Sequence, residues 1–272
     1  MKSTLQRISD IKRNGYKLDL GETINATFAN YQKIALLGGA VTLLVVIAAV
    51  VILGGLATII FGIATATQTF TEYSQGMLSG TGFAINLVSS IVAAGLFAPI
   101  AAGFVQMAHN ASVKKDFDFG TAFMHYKSVH FKELFLAAAI VTLLGSGLST
   151  LFQVLNVHNP DSILINIAVI LSGIISLLAQ IFTFLIIPLI IFGNLSAMDA
   201  IKGSITLVSK NFWTIFLLLI VCGFFIMLGL FAICIGILFT LPALYSLQYI
   251  TYKAALPIDE NNELEEIGKD FY

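Results

Sequence analysis

The chain has 272 residues, of which 58% are hydrophobic and 11% charged, and its net charge is −1. A soluble domain carries about 25% charged residues, so there is too little polar side chain here to cover a soluble globule. Composition therefore excludes a soluble protein, a disordered chain and a nucleic-acid binder, and points to an all-α, polytopic membrane helix bundle.

Residues 1–33 hold six Lys/Arg and three acids before the first apolar run opens at Ile34. A cleavable signal has its apolar core close to the N-terminus, so this stretch is expected to stay on the protein, with 1–18 as a cytoplasmic segment. Beyond Ile34, charges divide the chain into apolar runs. About 20 residues cross the hydrocarbon, at about 1.5 Å of rise per residue. Spans are expected near 34–62, 84–107, 134–155, 163–191, 212–230 and 233–251, which makes about six. The charge-free run Ile34–Thr71 is too long for one span and too short for two, so one tilted helix bent at Gly54–Gly55 is expected. The run Asn211–Tyr252 makes two spans only if the turn around Gly229 to Gly236 is tight.

Charge favours two. With six spans, residues 1–33, 108–133, 193–211 and 252–272 share one side and carry 6, 4, 2 and 2 Lys/Arg, which is all 14. The positive-inside rule then places both termini in the cytoplasm. An internal repeat agrees. Asp19-Leu20-Gly21 recurs as Asp118-Phe119-Gly120, and Val41-Thr42-Leu43-Leu44 as Val141-Thr142-Leu143-Leu144. A weaker third copy starts at Ser196. Each copy reads as an amphipathic segment followed by a hairpin whose second helix carries a proline: Pro99, Pro188 or Pro242. These are candidate kinks. The result is one membrane domain over 19–253, with repeats near 19–107, 118–191 and 196–251, and a polar acidic tail over 254–272.

The amphipathic segments have apolar faces at helical spacing: Leu20, Ile24, Phe28, Tyr31 and Ala35; Phe119, Phe123 and Tyr126; Met198, Ile201, Ile205, Val208 and Phe212. Asp19 with Glu22, and Ser196 with Asp199, have capping-box spacing, and Asp118 can cap alone. Such helices lie in the membrane interface with lysines toward anionic headgroups, which makes Lys114, Lys115, Lys127 and Lys132 candidate lipid contacts. Short connectors packed on the bundle are the alternative, because periodicity does not tell lipid from protein as the apolar partner.

No expected span contains an Asp, Glu, Lys, Arg or His, which argues against ion-coupled transport or intramembrane proteolysis. His109, His125 and His130, with Asp116 and Asp118, are the candidates for an interfacial metal site. Interfacial polar residues are the commoner use of such side chains, and no cofactor is expected. Ser146 lacks an in-span base. Ser172, Ser176 and Gln180 share one face, either as a polar pathway or as interhelical hydrogen bonds. Cys222 and Cys234 read as small apolar side chains.

Ser209-Lys210-Asn211-Phe212-Trp213, then a long apolar span, then Cys234 through Pro242 with its Gly-x-x-x-Thr-x-Pro pattern, then Tyr249 to Tyr252, resembles the last third of YciC-like bacterial inner-membrane proteins. It is also similar to the membrane domain attached to some glycerophosphodiester phosphodiesterases. Asp19-Leu20-Gly21 is similar to their N-terminal pattern, so the resemblance extends over 19–253. It implies a bacterial cytoplasmic-membrane protein of about six helices and carries over no catalytic residue. The expected function is a non-enzymatic membrane protein that interacts with lipids or scaffolds other membrane proteins. A passive or lipid-like transporter and an interfacial membrane enzyme are the alternatives.

Overall fold

In a computed structural model the chain is helical, and no strand occurs among the described residues, 3–74, 80–159, 161–231 and 236–258. The order is α1 (Thr4–Asn14), α2 (Leu20–Phe61), α3 (Ile63–Ser74), α4 (Gly80–Ser112), α5 (Phe119–Phe123) with a 3-10 turn (Met124–Tyr126), α6 (Phe131–His158), α7 (Ile163–Phe182), α8 (Ile186–Ile191), α9 (Ala197–Lys210), α10 (Phe212–Leu228) with a 3-10 turn (Gly229–Phe231), α11 (Gly236–Thr240) and α12 (Pro242–Ala255). Five stretches are long and apolar enough to cross a membrane: Leu20–Ile52, Gly82–Ser112, Phe131–Asn156, Ile163–Ile191 and Phe212–Phe231. The chain is an all-α, multi-pass membrane bundle.

Several boundaries differ from expectation. The first amphipathic segment and the first span are one unbroken helix, α2, of 42 residues, or about 63 Å. It passes through Gly54–Gly55 and stops at Gly62, whose φ of 77° suits a residue without a Cβ. The fourth span is broken between α7 and α8. The expected sixth span, 233–251, is not one helix. Helices α11 and α12 are separated at Leu241, and residues 232–235 of the expected turn lie outside the described residues. The chain does return across the bundle there. Added Cβ atoms on Gly38 and Gly39 would strike Pro242 and Phe239. Ser246 Oγ donates to Asn30 Oδ1 (2.8 Å), so α11 and α12 run antiparallel to α2. Arg7 Nη2 then donates to the Pro257 carbonyl (2.8 Å), closing the two ends of the described chain on each other.

Residues 1–18 are more than a loose segment. Ser3 and Gln6 form a reciprocal capping box on α1, whose Ile8 and Ile11 are buried. Ile8 packs close to Gly203 of α9. The three amphipathic segments are all capped at their starts, though differently from their spacing. Asp19 Oδ1 accepts from Glu22 N (2.8 Å) and Ser196 Oγ from Asp199 N (3.3 Å). The reciprocal box forms at Asp118 instead, where Thr121 Oγ1 accepts from the Asp118 N–H.

Burial is concentrated at the end that carries the lysines. Helix α2 buries Thr23, Thr27, Asn30, Ile34 and Val41; α4 buries residues from Ala98 to Ala111; α8, α9 and α12 are buried along most of one face. Farther along α2, and on α7, apolar side chains are uncovered, with Val50 69% and Ile59 and Leu164 both 80% exposed. Lipid tails are as apolar as leucine, so burying such side chains against protein adds little beyond contact density. Hydrogen bonds must therefore discriminate one arrangement from another.

The prolines show how. A proline has no N–H for the carbonyl one turn back and pushes that turn open. In lipid the freed carbonyl has no water to bond. Each of the three prolines has a donor from another element near the turn that precedes it. Tyr126 OH donates to the Leu96 carbonyl (2.5 Å), before Pro99. Tyr31 OH donates to the Phe239 carbonyl (3.2 Å), before Pro242. Gln248 Nε2 donates to the Phe184 carbonyl, four residues before Pro188. Ser204 completes the α7–α8 break by accepting from Leu185 N (3.0 Å) and donating to the Phe182 carbonyl (2.7 Å). Pro99 sits inside an unbroken α4, whereas Pro188 follows a break and Pro242 opens α12.

Replacing Gln248 with Leu strands the Phe184 carbonyl and should cost about 1–3 kcal/mol. Pro188→Ala supplies an N–H at the position that can bond the same carbonyl. The loss from Gln248→Leu should therefore be smaller in the Pro188→Ala background. Reversible unfolding of the four proteins in bicelles measures this coupling, and purely additive losses would remove the pairing.

Candidate membrane-lipid interface

The middle amphipathic segment places its candidate side chains most openly. Helix α5 is held to α4 where Gly103 meets the backbone of Ala122, a contact that leaves no room for a side chain at 103. Ala122 and His125 are buried beneath the connector, and Tyr126 ties it to Leu96. The expected helix is thus only five residues long plus a turn, because anchoring His125 and Tyr126 draws the chain inward. Phe119, Phe123, Met124 and Tyr126 remain exposed and Val129 is 88% exposed. Lys114, Lys115 and Lys127 are exposed on the connection between α4 and α6, and Lys132 is exposed in the first turn of α6. Lys114 has a φ of 58°, which turns the chain sharply after α4. The result is an apolar patch rimmed by cations at the Lys/Arg-rich end.

The other two segments differ. In α2 the expected face is half-buried against protein, with Phe28 and Tyr31 meeting the Phe225 ring edge-on at 4.8 and 5.2 Å. Its fully buried face is the polar stripe Thr23, Thr27 and Asn30. In α9 the small residues Ala200, Gly203 and Ser204 are buried, Val208 joins them, and Met198 and Ile205 face outward. Protein is the apolar partner for the first segment, while the middle and third leave apolar side chains uncovered.

The candidate metal residues do not assemble into a ligand set, and among the described residues no three His, Cys, Asp or Glu do so. His109 is buried in the core, hydrogen-bonded to Tyr249 OH (3.1 Å) and packed 5.0 Å from the Phe192 ring. Asp116 offers its backbone carbonyl to Asn110 Nδ2 (3.3 Å). Asp118 is occupied by its cap, whose Thr121 hydrogen bonds hold the carboxyl below the usual range. His125 and His130 do approach, at 6.3 Å between rings, across the turn rather than along a helix. Burial, with repulsion from His130, pushes His125 down from 6.5 to about 4, and burial lowers His130 too. His125 Nδ1 is 3.4 Å from Ser128 Oγ, and its Nε2 is buried without a partner among the described residues.

The in-span hydroxyls act as struts. Ser176 Oγ donates to the Gly145 carbonyl of α6 (2.5 Å), and Ser172 Oγ to Val169 of its own helix (2.8 Å). Cys222 is buried; Cys234 lies outside the described residues, as does most of the acidic tail. Sequence periodicity missed a polar layer. Asn30 Nδ2 donates to the Ala108 carbonyl (2.7 Å) while its Oδ1 accepts from Ser246, and Gln248 lies two residues on along α12. Its only signal is the i, i+4, i+7 run of Thr23, Thr27 and Asn30 along the flank of the apolar face.

Fold and site together define a multi-pass helical membrane protein with an aromatic, basic connector on its lysine-rich end. No protein-family model, curated protein or solved structure matches the chain.

An uncharged His125 is a condition for docking the connector. The undocked imidazole takes a proton below 6.5, while the docked one resists it down to about 4. Docking should therefore be full above that window and weaken as pH falls through it. A spin label at Val129→Cys should gain mobility on acidification, and His125→Gln should flatten that response.

Proposed function

We propose that this is a non-enzymatic bacterial inner-membrane protein whose lysine-rich end faces the cytoplasm and binds anionic lipid. The observation that carries this reading is the connector between α4 and α6: anchored by Gly103, His125 and Tyr126, it leaves Phe119, Phe123, Met124 and Val129 uncovered beside four exposed lysines. An apolar patch with a basic rim, carried by a multi-pass bundle, suits the headgroup region, where aromatic side chains enter and lysines meet phosphate. On the motifs of its last third we read the chain as a relative of YciC-like proteins, a likeness that brings no activity with it. The positive-inside rule supports the cytoplasmic assignment, since Arg7, Lys17, Lys33, Lys202, Lys210 and Lys253 share the end with the connector lysines.

In nanodiscs of phosphatidylcholine with phosphatidylglycerol, amides over 119–130 should exchange more slowly than in phosphatidylcholine alone. Changing Lys114, Lys115, Lys127 and Lys132 to Gln should erase the difference; equal exchange in both lipids for the unaltered protein would defeat the reading.

Topology is tested separately. A membrane-impermeant maleimide should label Asp161→Cys on intact spheroplasts and Lys114→Cys only after lysis. The reverse pattern overturns the orientation.

A further inference from the structure

A second concave surface lies away from the connector, between α6, α7 and α9. It has a volume of about 340 Å³ and is lined by Leu144, Phe182, Thr183, Ile201, Ile205 and Ser209, among others. Its hydroxyls are turned to their own helices. Thr183 Oγ1 donates to the Ala179 carbonyl (2.7 Å) and Ser209 Oγ to the Ile205 carbonyl (2.5 Å). The lining is therefore apolar throughout.

Ile201, Ile205 and Ser209 succeed one another at four-residue steps, so the groove runs along α9 for about 12 Å. One position on, Lys202 and Lys210 are exposed on the adjoining stripe. Trp213, 72% exposed, stands just past Lys210. An outward Trp and Lys at the end of an apolar surface mark headgroup level. The acids on and beside α9 are engaged at its opposite end. Asp199 Oδ2 accepts from Ser196 Oγ (2.8 Å), and Glu133 Oε2 accepts from Ala197 N (2.7 Å).

We infer that this groove seats one acyl chain of an anionic glycerophospholipid, with the lipid phosphate at the Lys202–Lys210 stripe. Charge selects the occupant's head and volume its tail. A neighbouring membrane helix, about 10–12 Å across, does not enter such a space, whereas a chain one methylene wide does. The inference rests on the proposal that the protein recognises anionic lipid, but it names a different site.

The test is native mass spectrometry of the full chain in detergent, titrated with dioleoyl phosphatidylglycerol and, in parallel, dioleoyl phosphatidylcholine. The unaltered protein should hold one phosphatidylglycerol above the statistical background. Ile205→Trp fills the groove from an exposed position and should remove that lipid. Lys202→Gln with Lys210→Gln lies on the surface and should weaken phosphatidylglycerol about fivefold per lysine, leaving phosphatidylcholine unchanged. Undiminished phosphatidylglycerol in either variant overturns the inference. If instead the connector lysine variant alone loses the lipid, the groove assignment fails and the connector reading stands. If the unaltered protein does not distinguish the two lipids, both fall.

Discussion

A backbone carbonyl without a donor is the constraint on which this bundle turns. In water it would be solvated and cost nothing further. In hydrocarbon it must be met by protein, and every proline in a span creates one. Pro188 frees the Phe184 carbonyl, which Gln248 answers from α12, while beside the carbonyls that Pro99 and Pro242 free, Tyr126 and Tyr31 bond the adjacent Leu96 and Phe239 carbonyls from the connector and α2. These bonds cross between elements, so they fix relative placement as well as satisfying polarity. Tyr126 has a second consequence: the hydroxyl that bonds α4 at Leu96 also pins the connector in its outward-facing pose.

The same requirement explains where the packing is dense. The polar layer of Asn30, Ser246, His109, Tyr249 and Gln248 lies at the lysine-rich end, where α2, α4 and α12 converge. It is not fully satisfied. Gln248 Oε1, Thr27 Oγ1 and Thr251 Oγ1 are buried with no partner among the described residues. Away from this layer the helices show their apolar sides outward, as lipid-solvated surface does. The molecule is thus specified at one end and solvated along the rest.

The broad plan was legible because it depends on composition and on charge. The five apolar crossings, the clustering of Lys/Arg at one end and the caps at Asp19, Asp118 and Ser196 are all local signals. What was not legible depends on partners far along the chain. Nothing near Thr23, Thr27 and Asn30 marks them as the buried face of α2, since the reason is Ser246 and the Ala108 carbonyl. The break before Pro188 is placed by Ser204 and Gln248, from two other helices. The connector was legible in its residues and not in its form: the stripe at Phe119, Phe123 and Tyr126 is there, but Gly103 and His125 shorten the helix that carries it. The face of α9 escaped for a related reason. Its small residues matter more than its large ones, because they allow close approach to α1 and to the chain around the α7–α8 break.

Asn30 and Ser246 are separated by 216 positions, and that separation has a meaning in time. Ribosomes add about 5–20 residues per second, so α2 is made on the order of 10–40 s before α12 arrives. Throughout that interval the polar stripe of α2 lacks the Ser246 hydroxyl that will bond Asn30. A nascent chain in this state is safest with that stripe still at the water boundary, beside Lys17, Glu22 and Lys33. Assembly of this polar layer therefore waits on α12, and α2 settles only when α12 is released.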